Sequence, residues 1–417
     1  MKKSSKSNFN KFLLLWSGEL ISSIGGGLTS FGLGVYVFQK TGSAASMAFV
    51  TLLAFLPTLL FSVPAGVLAD RYDRRLLMML GDGLSGLGII YILVSMLLGE
   101  AQLYQVCIGV LISSVFSSLL EPSYRATVSD LLTEEEFSKA SGMVSLAGSA
   151  RYLISPLLAG ILLAVSDIKL LLVIDIFTFM VTVITTGVVR KGLAGKAAEQ
   201  KESFLQSMSE GFHAIRRKKG VLLLILVSSV MTCFMGTFQI LAEPLILAFA
   251  DSTTLGIGET ICASGMLVSS LFLGVRGIKK GFAKTLSLSL VLAGTAMAAF
   301  GLKENIYLIC LSGFAFFAML PFANNCLDYL VRTNIDGEHQ GRVWGLIGFL
   351  SQIGYVVAYG LAGIMADGIA ELQGISVGRG AAWLVMIAGG LLIITALAVY
   401  PMKAVRELER SKSCFVN

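Results

Sequence analysis

The stretch "GVLADRYDRR", residues 66–75, decides the fold of this chain. It ends a long apolar run, places five charged residues within six positions, and is followed directly by another apolar run. A short charged loop between two apolar segments is typical of a turn that joins two transmembrane helices. The stretch therefore predicts a helix–turn–helix pair in a membrane protein.

The composition of the whole chain supports this interpretation. The 417 residues are 55% hydrophobic and only 14% charged, whereas about a quarter of the residues in soluble proteins are charged. Windows of about 20 residues identify twelve apolar segments that could cross a bilayer as helices. We predict an all-α membrane protein with twelve transmembrane spans in two six-helix halves. The predicted spans 1 to 12 cover residues 12–38, 45–69, 76–98, 102–123, 140–165, 170–189, 220–249, 257–275, 283–302, 305–331, 343–366 and 381–400.

Lysine and arginine are distributed unevenly among the loops. If the N-terminus is cytoplasmic, all but five of the 32 Lys and Arg residues fall in cytoplasmic segments. Such a bias predicts that both termini lie in the cytoplasm, and it removes the case for a nucleic-acid partner that the net charge of +6 could suggest. The basic cluster 216–219 is expected to lie beside anionic headgroups, so membrane lipids are predicted partners.

A polar stretch divides the chain into two similar halves. We predict an N-terminal half at 1–189, a cytoplasmic linker at 190–219, a C-terminal half at 220–400 and a cytoplasmic tail at 401–417. Within the linker, residues 203–215 carry apolar side chains at helical spacing, which predicts an amphipathic helix on the membrane surface.

The charged turn has a counterpart in the second half. Its three arginines, moved forward by 205 positions, correspond to Arg276, Lys279 and Lys280, whereas Asp70 corresponds to Val275. Two internal repeats would explain the basic residues. Chance agreement between two loops rich in Lys and Arg is the alternative. In either case the acidic residue is specific to the first half.

Ionisable residues inside the spans are candidates for a transport site, because charged groups in a bilayer are costly and face a protein interior or an aqueous cavity. Those within about two turns of a helix end could instead reach water. The residues near helix ends are Glu121, Glu243 and Asp328, and the deeper ones are Glu19, Asp82, Arg151 and Asp175.

Polar side chains also form stripes at helical spacing on spans 1, 4, 7 and 10. We interpret these stripes as the lining of a central cavity, and interhelical packing is the alternative. Besides Glu19, Glu121 and Glu243, the stripes include Ser114 and Ser117 on span 4, Thr232 and Gln239 on span 7, and Asn324 or Asn325 with Asp328 on span 10.

The sequence predicts neither an enzyme nor a cofactor. Five of the six cysteines fall within spans, both histidines fall in loops, and no metal-binding spacing occurs. The segment "GLAGKA" (192–197) lacks the spacing and the final hydroxyl residue of a Walker A element. No acid–base or nucleophile constellation is present. An ion gradient is therefore the expected driving force for any transport.

The charged turn resembles the signature of a known family. Gly66, Asp70, Arg71, Arg74 and Arg75 match the G-x-x-x-D-R-x-x-R-R pattern found between helices 2 and 3 of the major facilitator superfamily. The resemblance extends along the whole chain and narrows to the drug-exporter branch that includes bacterial macrolide-efflux proteins. The supporting segments, in order, are "KTGSA" (40–44), "FLP" (55–57), Asp82, "SP" (155–156), "ID" (174–175), "ASGML" (263–267) and "GRV" (341–343).

The resemblance implies that the turn acts as a latch in the outward-facing state. Asp70 would sit at the N-terminus of the helix that begins near Arg342, where the helix dipole favours negative charge. Gly66 would permit a close helix contact, and the arginines would pair with acids such as Asp73 or Glu121. Alternatively, the arginines only enforce topology.

The predicted function is proton-coupled antiport that exports amphipathic drugs or antibiotics, macrolides first, by alternating access. We expect a monomer in a bacterial cytoplasmic membrane. Glu19, helped by Asp82 or Asp175, would carry the proton, and Arg151 would reset Glu19 by pairing with it. The alternatives are an exporter of an endogenous metabolite, such as a siderophore or peptide, and a non-transporting membrane receptor.

Overall fold

A computed structural model describes residues 8–191, 219–278, 280–334 and 340–399, and its regular structure in these ranges is helical. A short 3₁₀ turn spans Glu134–Glu136. The α-helices are α1 Phe9–Thr41, α2 Ala44–Arg71, α3 Arg74–Leu97, α4 Leu103–Ser117, α5 Leu120–Leu131, α6 Phe137–Leu153, α7 Ser155–Val165, α8 Ile168–Arg190, α9 Lys219–Leu247, α10 Ser252–Arg276, α11 Phe282–Phe300, α12 Ile306–Arg332, α13 Gln340–Gln373 and α14 Val377–Val399.

The prediction of twelve spans is confirmed for the described residues. Twelve helical segments are long and apolar enough to cross a bilayer, and each coincides with a predicted span. Spans 4 and 5 are each built from two helices, α4 with α5 and α6 with α7. Pro122 and Pro156 follow these breaks closely, because proline lacks the N–H group that would continue the preceding helix.

The contacts divide the chain into two compact units. Unit 1 comprises residues 1–40 and 50–200, and unit 2 comprises residues 41–49 and 201–417. The first residues of α2 therefore pack with the second unit although they lie early in the chain. The amphipathic helix predicted at 203–215 lies outside the described residues, and the predicted domain boundaries stay a prediction.

Unit 1 has a buried cluster at one end of its helices. Phe12, Met78, Leu131 and Val189 pack together there, which brings the starts of α1 and α3 beside the ends of α5 and α8. Backbone bonding supports this arrangement, because the amide of Asn8 donates to the Leu131 carbonyl oxygen at 3.0 Å. This end of unit 1 carries residues 66–75.

Unit 2 has an aromatic core and close contacts between glycines. The ring of Phe238 stacks on Phe316 at a centroid distance of 4.4 Å and meets Phe300 edge-on at 4.6 Å. A Cβ atom built on Gly294 would lie 2.7 Å from the Gly389 carbonyl oxygen. Small residues let helix backbones approach closely in membrane proteins, so α11 and α14 pack at short range.

Several helices begin with a side-chain cap. Asp73, Asp167, Asp251 and Asn305 accept hydrogen bonds from backbone N–H groups in the first turns of α3, α8, α10 and α12. These caps satisfy donors that a helix start leaves unpaired. At Asp251, hydrogen bonds from Thr254 lower the pKa of the carboxyl group.

Candidate functional site

The charged turn is built around the cap of α3. The Asp73 side chain accepts a hydrogen bond from the Arg75 backbone N–H at 3.1 Å. Its second oxygen accepts one from Nε of Arg190, at the end of α8, at 2.7 Å. Partial burial opposes ionisation of Asp73, but these hydrogen bonds and the charges of both arginines outweigh it and lower the pKa of Asp73. The turn is thus tied to α8.

A second acid ties the turn to α5. Nη1 of Arg74 lies 2.8 Å from Oδ1 of Asp130, and Nη2 of Arg75 lies 3.6 Å from its Oδ2. Arg75 is buried, with 5% of its surface exposed. Asp130 is accordingly the acidic partner that the two arginines share, at the end of a helix that extends span 4 past its predicted limit.

The two acids predicted to pair with the arginines of the turn form ion pairs with other residues. Asp73 binds the side chain of Arg190, and Glu121 forms an exposed ion pair with Arg125 at 2.7 Å. The side-chain pairing predicted between the turn arginines and Glu121 is therefore replaced by pairing with Asp130. The reason is distance along α5, since Glu121 lies more than two turns before Asp130.

The structure describes the side chains of only some residues of the predicted latch. Asp70 is exposed and lies 3.5 Å from Nη2 of Arg74, and Arg71 is exposed at the end of α2. No described atom lies within 4 Å of a Cβ built on Gly66. Arg342 lies in α13, but its side chain is outside the described part of the chain. The latch therefore stays a prediction.

Three of the predicted membrane acids come together in unit 1. Asp82 of α3 and Asp175 of α8 are each 1% exposed. Asp82 lies within electrostatic range of both Asp175 and Glu19 of α1. Its Oδ2 atom has no hydrogen-bond partner among the described residues. Thr178 donates a hydrogen bond to Oδ1 of Asp175 at 3.3 Å. We call Glu19, Asp82 and Asp175 the acid cluster.

Glycines of α1 make room for this cluster. A Cβ on Gly25 would overlap Oγ1 of Thr178 and lie 2.8 Å from Oδ1 of Asp175. A Cβ on Gly27 would lie 3.1 Å from Cγ of Arg151. Any larger side chain at these two positions would push the polar groups of span 5 or span 6 away from α1.

Arg151 is the cation beside the acid cluster. Its charge acts on Asp175, and its side chain is exposed on α6. Glu19 lies within electrostatic range of Glu121 and Asp82, and Arg151 lies against Gly27, about two turns along α1 from Glu19. The pairing of Arg151 with Glu19 during the cycle stays a prediction.

Part of the predicted polar stripes serves packing. On span 4, Ser117 shares a hydrogen bond with Ser85 at 2.9 Å, and Ser114 donates to the Leu53 carbonyl oxygen at 2.9 Å. On span 7, Thr232 donates to the Ser351 carbonyl oxygen. For these residues the packing alternative applies.

Unit 2 holds the other candidates. Tyr359 of α13 donates a hydrogen bond to Oε1 of Gln239 at 2.9 Å. One turn along α9, Oε2 of Glu243 is buried with no hydrogen-bond partner among the described residues, and Glu259 of α10 lies within electrostatic range. Asn325 and Asp328 are exposed on α12.

Glu259 was missed at the sequence level because span 8 was expected to begin at residue 257, which would have put Glu259 at its edge. The helix begins at Ser252 instead. Glu259 therefore lies a further turn inside the membrane-crossing segment, and its proximity to Glu243 required the structure.

Comparison with known proteins identifies the family. The family model of the Major Facilitator Superfamily matches residues 15–249. The chain belongs to the major facilitator superfamily. Macrolide efflux protein A of Streptococcus pyogenes is 26% identical over 407 residues, which cover 96% of this chain and 97% of that protein. The enterobactin exporter EntS of Salmonella choleraesuis is 29% identical over 153 residues, 37% of each chain.

A solved structure shows the same fold. The POT family transporter PepTSo superposes with a TM-score of 0.76 over 98% of this chain and 100% of its own, at 12% identity. As a member of the major facilitator superfamily, the chain is a multi-pass protein of the cell membrane and a transporter of small molecules rather than an enzyme. Efflux proteins are among its relatives.

Proposed function

We propose that the chain is a proton-coupled antiporter that exports amphipathic drugs, with macrolides as the first class to test. It works as a monomer surrounded by membrane lipids, with both termini in the cytoplasm. The observation that supports the coupling is the acid cluster beside Arg151, which places three carboxyl groups inside the membrane-crossing part of unit 1. The likeness to macrolide efflux protein A over nearly the whole chain supports the substrate class.

Asp82 lies within electrostatic range of Glu19 and Asp175, so a proton on one of these carboxyl groups changes the charge that the others face. In the proposed cycle, a proton enters the cluster from outside and leaves it on the cytoplasmic side. The change in charge favours one conformation of the transporter over the other, and the drug moves in the opposite direction. Glu19 is the member we assign to proton exchange with water, because it is half-buried, whereas Asp82 and Asp175 are fully buried.

The signature turn is proposed to stabilise the outward-facing state of the transport cycle. In this proposal Asp70 meets the start of α13 near Arg342 in the outward-facing state, with Gly66 allowing the approach. The ion pairs to Asp130 and Arg190 hold the turn in shape for that contact. Gln239, Glu243, Asn325 and Asp328 are proposed to contribute to the substrate path.

A susceptibility test decides the function. The chain is expressed in an efflux-deficient bacterial host and tested against macrolides and other drug classes, with and without a protonophore. We expect macrolide resistance that the protonophore removes. Resistance that survives the protonophore would contradict proton coupling.

A matched pair of variants then tests Glu19. In proteoliposomes, Glu19→Gln should abolish proton movement driven by the drug, whereas Glu135→Gln, a change of the same kind at an exposed position of the 3₁₀ turn, should leave it unchanged. Coupling that is unaltered in Glu19→Gln would exclude Glu19 as the proton carrier.

Export of a siderophore is the second candidate. It is favoured by the likeness to the enterobactin exporter, which covers 153 residues. An exporter of this kind should leave most drug sensitivities unchanged in the same panel. It should instead restore siderophore release to a host that lacks its own exporter.

A further inference from the structure

The start of α2 belongs to a different unit from the rest of that helix. Residues 41–49 cluster with unit 2, whereas Lys40 and the residues from Val50 onward cluster with unit 1. The segment "KTGSA" (40–44), one of the matches to the exporter branch, lies at this boundary.

The last residues of α1 are fixed within unit 1. Nζ of Lys40 donates a hydrogen bond to the Ala101 carbonyl oxygen at 2.7 Å and lies 3.3 Å from Oε2 of Glu100. The Tyr36 hydroxyl donates to the same carbonyl at 2.9 Å. The chain up to Lys40 is thereby held to the loop between α3 and α4.

A tight turn follows immediately. Gly42 has φ = 63°, in the left-handed region that glycine adopts without steric cost. The Ser43 backbone N–H donates to Oγ1 of Thr41 at 3.2 Å. Two residues, Gly42 and Ser43, thus separate the end of α1 at Thr41 from the start of α2 at Ala44.

Asp367 of α13 caps the start of α2. Its Oδ2 accepts a hydrogen bond from the Ser43 hydroxyl at 2.6 Å and one from the Ala45 N–H at 3.0 Å. Its Oδ1 accepts one from the Ala44 N–H at 3.0 Å. Helix starts leave such N–H groups unpaired and favour negative charge. A neighbour in sequence usually provides the cap, but here the carboxylate is 322 to 324 residues away.

The two helices also meet backbone to backbone at this point. A Cβ on Gly363 would lie 2.5 Å from the Ala44 carbonyl oxygen and 2.7 Å from Cα of Ala45. Ala44 itself is fully buried. Gly363 lies one turn before Asp367 on α13, so small residues allow the contact and the carboxylate fixes it.

We propose that Asp367 is a positioning residue for transport. It holds the start of α2 on α13 in one state of the cycle and releases it in the other, with the turn at Thr41 and Gly42 as the hinge. The proposal rests on the proposed function, because it requires a transporter that alternates between two states. The remainder of α2 belongs to unit 1, so movement between the units must bend α2 or break the cap.

Breaking the cap is the step the contacts favour. Three hydrogen bonds to one carboxylate form or break together, which gives two discrete positions rather than a gradual change. Once the cap is released, residues 43–49 can move together with the rest of α2, which clusters with unit 1.

The test measures the distance between α2 and α13 directly. Spin labels are placed at Phe49 and Ile353, both exposed, in the full chain with its native cysteines replaced. Double electron–electron resonance should show two distance populations in the otherwise unchanged protein. Asp367→Ala should lower the ratio of docked to released molecules by about tenfold, Asp367→Asn by less, and Ser43→Ala by about twofold to fivefold.

A matched control lies one turn further along α13. Glu371→Gln changes an exposed acid at the same end of that helix and should leave the distances unchanged. If Asp367→Ala does not fold, Ser43→Ala answers the question with a milder change. Distances in Asp367→Ala equal to those of the parent would overturn the proposal, and so would a single distance in the parent, which would mean a static cap.

The outcome does not depend on identifying the substrate. Failure of drug export together with two distance populations would reject the proposed function and leave the capping contact as a conformational device. Drug export together with a single, unaltered distance would reject only the role of Asp367.

Discussion

The turns that follow the second helix of each half have basic residues at corresponding positions but different structures. The first turn pairs Arg74 and Arg75 with Asp130, and its acid Asp73 with Arg190. The second turn, between α10 and α11, relies on glycines, with φ of 61° at Gly277 and 76° at Gly281. Its Arg276 lies over the ring of Phe272 at 5.3 Å, and Lys279 lies outside the described residues.

This difference distinguishes residues that orient a loop relative to the membrane from residues that stabilise the packing of the helices. Lysine and arginine suffice to keep a loop on one side of a membrane, and both turns have them. Among the described residues, only the first turn forms ion pairs with other helices, with Asp130 of α5 and Arg190 of α8. We therefore expect substitutions in the first turn to weaken the protein, and equivalent substitutions in the second turn to have little effect.

The largest effect is expected from Asp130→Ala. This change leaves Arg75 buried without its acidic partner and removes the shared partner of Arg74. We expect a loss of about 2 kcal/mol in stability, since hydrogen bonds to charged groups contribute in this range and Asp130 is partly exposed. Heat denaturation of the purified protein in detergent measures it. Lys or Arg variants of the second turn serve as the control.

Asp73→Ala should come next. It removes the cap of α3 together with the partner of Arg190, and loss of a cap costs about 1 kcal/mol. Asp73→Asn should be milder, because its amide oxygen can still accept the Arg75 N–H bond. Equal stability of the Ala and Asn variants would show that the cap does not contribute.

The same acid gives a pH dependence with a defined sign. The pKa of Asp73 is lower in the folded protein than its ordinary value, so its contribution to stability is present above about pH 4 and is lost as pH falls through the lowered pKa. The difference in denaturation temperature between the parent and Asp73→Asn should therefore shrink on going from pH 7 to acid pH. A difference that grows would contradict the assignment.

The smallest effect is expected from Arg276→Ala. Its contact with Phe272 is exposed on both sides, and exposed cation–π pairs contribute about 0.5 kcal/mol or slightly more. Denaturation temperatures of Arg276→Ala and Arg74→Ala, measured side by side, compare one basic residue of each turn. A larger loss in Arg276→Ala would reverse the comparison.

Sequence reasoning located the helices well and the partners poorly. Hydropathy identified all twelve spans, because burial in lipid demands long apolar segments. The residues it missed lie near helix ends that extend beyond the predicted limits. Asp130 lies past the predicted end of span 4, and Asp367 lies one residue past the predicted end of span 11. Glu259 lies near the start of span 8, where the helix begins earlier than predicted. Polar residues at helix ends lower the window average, so the pattern excludes the residues that make contacts there.

The acid cluster shows a second limit. Depth in the bilayer singled out Glu19, Asp82, Arg151 and Asp175, and the structure places them near one another. Which acid faces Arg151 depended on the glycines of α1, since Gly25 and Gly27 set how closely α6 and α8 approach. These distances depend on how three helices pack together, so the spacing of residues along one helix does not predict them.

The cap on α2 also bears on biosynthesis. The ribosome makes Ser43 324 residues before Asp367, so span 2 enters the bilayer long before its cap exists. Until span 11 is inserted, the amides of Ala44 and Ala45 must be satisfied by water or lipid headgroups at the membrane surface. A chain truncated before span 11 would therefore leave this helix end exposed to cellular quality control, although all six spans of the first half are present.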